Sequence, residues 1–302
     1  MDFKKYRKAD IAELLLHAGY KLEKHDSHGQ FKVVGLGGLI IQPATGLFNH
    51  FSEGIGGKGA IDLIMHLQKC TFREAIEYID QCMGGNLTLH TYTYQEKRTL
   101  KKPFSLPAAN NTHDKVIAYL TEERKISKDF IHHLISADLL YESAKHHNCV
   151  FVCHDFSGKA TGAVLRGTYN PKSGEPFKGL APNTDGLYGM NLSKYTDCQS
   201  KQLYVFEAPI DMLSYIQMYG CKLETATYLA MSGLKPNMVM NYIQKIKELE
   251  KIVICTDNDV TGNRFAEEII KNIQNRFSNL LTERIRPKKK DWNEDLVDLS
   301  QF

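Results

Sequence analysis

Short apolar runs that end in carboxylates set the rhythm of the C-terminal third of the chain. Residues 252–255 (Ile-Val-Ile-Cys) form a compact, β-branched run, the composition of a strand buried on both faces. The run delivers Asp257 and Asp259 into a turn, after which Phe265, Ile269, Ile270 and Ile273 recur at helical spacing. Residues 203–206 repeat the design. Glu207 follows at once, Pro209 falls in the first turn of a helix, and Asp211 lies four residues after Glu207. That helix runs on through Leu213, Ile216 and Gln217 and stops near Gly220. A further apolar segment, residues 228–231, leads into a turn at Ser232 and Gly233.

The N-terminal pattern is different. Ile11, Leu14, Leu15 and Ala18 share one face of a short helix, and residues 31–41, with their glycines, suggest two short strands. Residues 60–67 and 71–83 read as a helical pair, the second opened by Thr71 with Glu74 completing a capping box and closed by Gly84 and Gly85. Residues 86–111 are polar, carry Pro103 and Pro107, and read as a linker. From Asp114 to about Asp197 helices are followed by strands. The whole predicts an α/β chain whose last part alternates strand and helix around a parallel sheet.

In open α/β sheets ligands bind beyond the carboxyl ends of the strands, which is where these carboxylates fall. Asp257 and Asp259 suit a hard, oxygen-seeking cation such as Mg²⁺, and Asn258 and Gly262 suit the turn because both residue types tolerate φ > 0. A third acidic cluster, Asp291, Glu294 and Asp295 with Asn293 among them, follows the basic run Arg284, Arg286, Lys288 and Lys289. Three acidic strand ends in one segment point to a metal site rather than to solvated turns.

A chain of 302 residues holds two or three domains of ordinary size. The formal charge of +3 is too small to diagnose a nucleic-acid binder, so position decides: Arg166, Lys172, Lys178 and residues 284–290 are the basic groups placed to meet a polyanion. Seven cysteines with no C-x-x-C pair argue against a disulfide framework and for a reducing compartment. With no signal peptide at the N-terminus and no run of about 18 apolar residues, the expected location is the cytoplasm, with no membrane span.

The order Glu207-x-x-x-Asp211, Asp257-x-Asp259-x-x-Gly262, Lys290-Asp291-x-x-Glu294 resembles the Toprim domain of topoisomerases, bacterial primases and several nucleases, and the primase version matches best. Residues 118–130 look like the segment that opens the primase lobe before Toprim. Residues 150–166 resemble that lobe's hairpin. Phe177, Lys178 and Gly179 with residues 187–191 resemble its junction to Toprim. Residues 47–51 and 56–65 resemble the end of the primase zinc-ribbon domain and the helix after it, but no cysteine occurs before Cys70. Structural zinc takes about four Cys or His ligands in close pairs, so His50 lacks thiolate partners and a zinc-free remnant is expected. His25 and His28 are read as a solvated polar loop.

The resemblance implies a Toprim doubly wound parallel sheet preceded by an α+β primase-like lobe and a small α+β N-terminal domain. The boundaries are 1–85 for the degenerate zinc-ribbon-like domain, 86–113 for the linker, 114–197 for the lobe and 198–302 for Toprim. It implies primer synthesis on single-stranded DNA from nucleoside triphosphates, with Mg²⁺ or Mn²⁺ and no zinc. Glu207, Asp257 and Asp259 are the implied catalytic residues, and these three with Asp211 and Asp291 the metal ligands. Arg166, Lys172, Lys178 and Lys290 are the implied nucleic-acid or nucleotide contacts. Asn293 stands where primases usually carry a second Asp, which puts a second metal in question, and Ala208 replaces the usual Gly after the Glu. Primases also carry a helical region and a helicase-binding domain after Toprim, for which there is no room after Phe302. Together with the lost cysteines, this resembles the primase-like Toprim proteins of plasmids and mobile elements, with a helicase or relaxase as further partner. A Toprim nuclease and a non-catalytic DNA-binding accessory protein are the alternatives.

Overall fold

The computed structural model describes residues 3–25, 29–53, 55–84, 103–169, 176–193 and 200–300. Contacts divide the chain into two units, residues 1–98 and 99–302.

In the first unit, α1 (Phe3–Arg7) and α2 (Ile11–His17) precede an antiparallel meander of β1 (Leu22–Lys24), β2 (Phe31–Val33), β3 (Leu39–Gln42), β4 (Leu47–His50) and β5 (Ile55–Lys58). Two helices follow, α3 (Ala60–Gln68) and α4 (Phe72–Met83). Asp10 caps α2 by accepting from the amides of Ala12 and Glu13. The capping box of α4 forms as its sequence predicts, with Thr71 and Glu74 bonded reciprocally and Gly84 in the left-handed region at the far end. The apolar faces of α2, α3 and α4 bury Leu14, Ile64 and Ile79 in one core with Val33 and Ile41 of the sheet.

The second unit begins along a sheet edge. Of the segment expected as linker, residues 103–113 are described, and they run beside β6 (Leu140–Glu142). Tyr141 Oη donates to the Pro107 carbonyl at 2.6 Å, and the Asn110 amide donates to the Glu142 carbonyl. The buried Glu142 carboxylate gathers the start of this unit. It accepts from Asn110 Nδ2, from the Lys115 and Val116 amides at the start of α5 (Asp114–Ala118), and lies 2.6 Å from His147 Nδ1. A π-helical turn at Tyr119–Glu123 and α6 (Lys128–Ser136) lead into an antiparallel sheet of β6, β7 (Cys149–His154), β8 (Ala160–Arg166) and β9 (Lys178–Leu180).

The following strands alternate with helices: β10 (Met190–Leu192), β11 (Gln202–Phe206), α7 (Pro209–Tyr219), β12 (Ala226–Ala230), α8 (Pro236–Lys245), β13 (Lys251–Ile254), α9 (Val260–Arg276), β14 (Leu281–Arg284) and α10 (Trp292–Leu299). The sheet order is β10-β12-β11-β13-β14, with β12, β11, β13 and β14 parallel and β10 an antiparallel edge. The chain moves outward from β11 to β12, then crosses back over β11 to β13. This makes the carboxyl ends of β11 and β13 the topological switch point. One core joins the antiparallel lobe to this sheet: Leu140, Phe151 and Val164 of the lobe pack in the same cluster as Phe206, Leu213 and Trp292.

Gly262 is required for a reason other than the one its sequence position suggests. Neither it nor Asn258 has a positive φ; Gly262 lies inside α9, where a Cβ would sit 2.3 Å from the Asp257 carbonyl oxygen. The helix is pressed onto the turn that carries the carboxylates. Gly262→Ala is expected to destabilise the protein by about 1–3 kcal/mol through this overlap with rigid backbone, measurable as a lower urea midpoint with unchanged m-value.

Candidate active site

Four elements bring the acidic side chains together. Val205 pairs with Ile254 in the parallel ladder and the Cys255 amide donates to the Val205 carbonyl, so β11 and β13 end level, with Glu207 following the one and Asp257 the other. Asp211 sits in the first turn of α7, and Asp291 is the N-cap of α10. Glu207, Asp211, Asp257 and Asp291 line one cleft of about 420 Å³. Asp259 stands beside it as the N-cap of α9, with Oδ1 accepting from the Gly262 amide at 2.7 Å, and its charge repels those of Glu207 and Asp257.

The opposite wall is basic. Arg166 and Lys178 are direct cross-strand partners on β8 and β9, and both line the cleft with Arg124 and Lys290. Tyr119 Oη accepts from Nε of both Arg124 and Arg166, at 2.9 and 3.0 Å, which spaces two guanidinium groups along the cleft. Lys172 lies outside the described residues, as does His28. Arg124 lies inside the 118–130 segment that resembles the opening of the primase lobe, but the mixed run Glu122, Glu123, Arg124, Lys125 does not single it out as a cleft residue.

Like charges this close cannot all ionise freely. Burial, then repulsion from Asp259, pushes the Glu207 carboxyl up to about 6 against the opposing pull of Lys178 and Lys290. Burial, then Glu207, Asp291 and Asp259, pushes Asp257 to about 8. Asp211, the most buried, is held well above the usual carboxylate range by burial, then Asp257 and Asp291. Asp257 Oδ1 is buried with no hydrogen-bond partner among the described residues. An orphaned carboxylate oxygen facing the charges of other carboxylates suits a hard divalent cation, which would satisfy it and relieve the repulsion; the cleft carboxylates stand wider apart than 4.8 Å as a ligand trio, so such an ion would draw them inward.

Asn293 is engaged elsewhere. It is buried; its Nδ2 donates to the Arg124 carbonyl and to Ser214 Oγ, its Oδ1 accepts from Arg124, and its amide donates to Asp211 Oδ1. These bonds clamp α10 to α7 and to the π-helical turn. Arg284, placed by its sequence with the basic groups that meet a polyanion, turns inward instead. Its guanidinium donates to the carbonyls of Ile254, Ile285 and Asp257 and to Asn263 Oδ1, strapping down the Asp257 turn. Trp292 is an anchor: its Nε1 donates to the Cys255 carbonyl at 2.8 Å, and its ring meets Tyr215 edge-on. Ser232 and Gly233 do reach the cleft, pinned by the Gly233 amide donating to the Glu207 carbonyl.

Fold and acidic cluster together define a Toprim-like domain, and residues 204–296 match the Toprim-like family. Residues 118–194 match a family described as a protein of unknown function, DUF3991. The chain is similar to the uncharacterized protein pXO2-78 of Bacillus anthracis, 27% identical over 267 residues that cover 83% of this chain and 70% of that protein. It is also similar to a 65 kDa protein of Zymomonas mobilis, 26% identical, covering 80% of this chain but only 42% of the relative. Among solved structures it resembles the primase fragment of the bacteriophage T7 primase-helicase protein, with a TM-score of 0.45 and 17% identity over 60% of this chain and 69% of the other. Among the described residues no helix is long and apolar enough to cross a membrane.

Two outcomes follow from the electrostatics. A carboxyl whose folded value is raised holds its proton longer in the folded state, so without divalent cations stability falls as pH rises from about 4 through the raised values near 6 and 8. Thermal melts in chelator across that range should show this fall, and Mg²⁺ should flatten it. Asn293→Asp should lower stability by about 1–3 kcal/mol, because a carboxylate would face the Arg124 carbonyl that now accepts from the amide; a mutant that binds a second cation without loss of stability would contradict the clamp.

Proposed function

We propose that the chain is a primase-type nucleotidyltransferase that makes short primers on single-stranded DNA by metal-dependent phosphoryl transfer, in the replication or transfer of a mobile element. The observation that carries this reading is one cleft with Glu207, Asp211, Asp257 and Asp291 on one wall and Arg124, Arg166 and Lys178 on the other. A nucleoside triphosphate is itself a chain of negative charge that needs both: carboxylates to hold its cations and guanidinium or ammonium groups to grip its phosphates.

In this reading Asp257, Asp259 and Asp291 hold Mg²⁺ or Mn²⁺, with Asp211 supporting the cluster from below. When bound, such ions stabilise the attacking and leaving oxygens of an in-line displacement. Glu207, which follows β11 into the cleft, serves as ligand or acid/base group. Arg166 and Arg124, held apart by Tyr119, grip phosphate with planar forks, while Lys178 and Lys290 act as point charges. The clamped Asn293 keeps α10 in place and supplies no ligand. Single-stranded DNA is the template partner, and a helicase or relaxase of the element is the protein partner.

The test is incubation with single-stranded template, labelled nucleoside triphosphates and Mg²⁺ or Mn²⁺. Oligomer synthesis is expected. Asp257→Ala and Asp259→Ala should each abolish it while leaving DNA binding intact. Arg166→Ala should weaken nucleotide use by about 10- to 100-fold, the size of a lost hydrogen bond to a charged group. Strand cleavage in place of synthesis would make the protein a Toprim nuclease, and DNA binding without chemistry would make it an accessory protein; either overturns the proposal.

A further inference from the structure

The second cluster of metal-ligating side chains lies in the first unit, far along the sequence from the acidic cleft. His50 ends β4, Glu53 stands in the turn after it, and His66 comes from the last turns of α3. Both imidazoles are buried. His50 Nδ1 lies 2.7 Å from His66 Nε2 and 3.4 Å from Glu53 Oε1; His66 Nε2 lies 3.9 Å from Glu53 Oε2. One ligand atom from each residue fits within 4.8 Å of the others.

We propose that His50, Glu53 and His66 form a binding site for a divalent transition-metal ion of the zinc class. Bonds of about 2.0–2.2 Å in a tetrahedral shell separate donor atoms by roughly 3.3 Å. His50 Nδ1 and Glu53 Oε1 stand at 3.4 Å, close to that value, while the two imidazole nitrogens, now at hydrogen-bond spacing of 2.7 Å, would part by about 0.6 Å around an ion. Two imidazoles with one carboxylate are a donor set that zinc accepts, and three protein donors leave one position for water. Surrounding groups orient the donors: the Phe48 ring stacks on His66, and Lys69 Nζ holds Glu53 Oε2 at 3.0 Å while Oε1 lies 3.4 Å from His50 Nδ1. A metal here would tie the end of β4 to α3.

The expectation of a zinc-free domain came from the missing cysteines. It supposed that ligands come in close sequence pairs, whereas His66 stands 16 residues from His50 and arrives through the fold. The proposal is independent of the Toprim reading, since no residue of the acidic cleft takes part.

The experiment uses the full chain in an Asp257→Asn background, which keeps the cleft from competing for added metal. After chelation and buffer exchange, Zn²⁺ is titrated by calorimetry and Co²⁺ by visible absorption, and thermal melts are recorded with and without Zn²⁺. The expected result is one equivalent of Zn²⁺ bound, a rise in melting temperature, and Co²⁺ d–d bands of tetrahedral intensity. His66→Gln should abolish all three, and Glu53→Gln, at a position 38% exposed and so tolerant of change, should weaken binding at least about tenfold. Absence of Zn²⁺ uptake would overturn the proposal and leave a proton shared between the two imidazoles. Equal uptake by Glu53→Gln would overturn it as well.

Discussion

Several negative charges are held within reach of one another at the carboxyl ends of β11 and β13, and the second unit is built around tolerating that repulsion. Two unit charges 4 Å apart repel by about 4 kcal/mol at the effective dielectric of a protein surface, so a loose chain would separate them. The scaffold prevents this by fixing the backbone that carries them. Level strand ends fix Glu207 beside Asp257, Arg284 binds three carbonyls around the Asp257 turn, and Gly262 lets α9 sit against it. Asp259 and Asp291 each give an oxygen to a helix N-terminus, where the helix dipole favours negative charge.

The basic wall is positioned by other means. Arg166 and Lys178 belong to a separate antiparallel sheet, and a shared core that includes Phe151, Val164, Phe206 and Trp292 sets their height against the acidic wall. Asn293 completes that link, because it bonds both Arg124 on the basic side and Asp211 on the acidic side. One neutral residue thus couples the two walls. A carboxylate there would pair with the guanidinium but lose the two amide donations, so the residue that looks like a weakened ligand in sequence is better understood as a joint.

Strand, turn and helix around Glu207 and Asp257 were legible because each carries a local signature: an apolar run, a carboxylate, then apolar residues at helical spacing. The same is true of the Thr71 capping box. What sequence could not carry were roles fixed by long-range partners. Arg284 reads as one more member of a basic run until its guanidinium is seen facing carbonyls 27 to 30 residues away. Arg124 falls in the 118–130 segment that resembles a primase lobe, yet its role is not marked there, since its place in the cleft comes from a π-helical turn and from Tyr119. Gly262 was rightly weighted for the wrong cause: close approach, not a positive φ.

The two donor sets differ in a way that bears on how one chain sorts its cations. Hard carboxylate oxygens select Mg²⁺ or Mn²⁺, which bind weakly and exchange with substrate phosphates, whereas imidazole nitrogens favour zinc-class ions held more tightly. In the first unit Glu53 is held by Lys69 in an ion pair. In the cleft the carboxyl groups of Glu207, Asp211, Asp257 and Asp291 share their walls with Arg124, Arg166, Lys178 and Lys290, and the pull of the lysines falls short of the burial and repulsion that hold Glu207 and Asp257 up. The two sites thus offer different donors, carboxylate oxygens in the cleft and imidazole nitrogens beside β4.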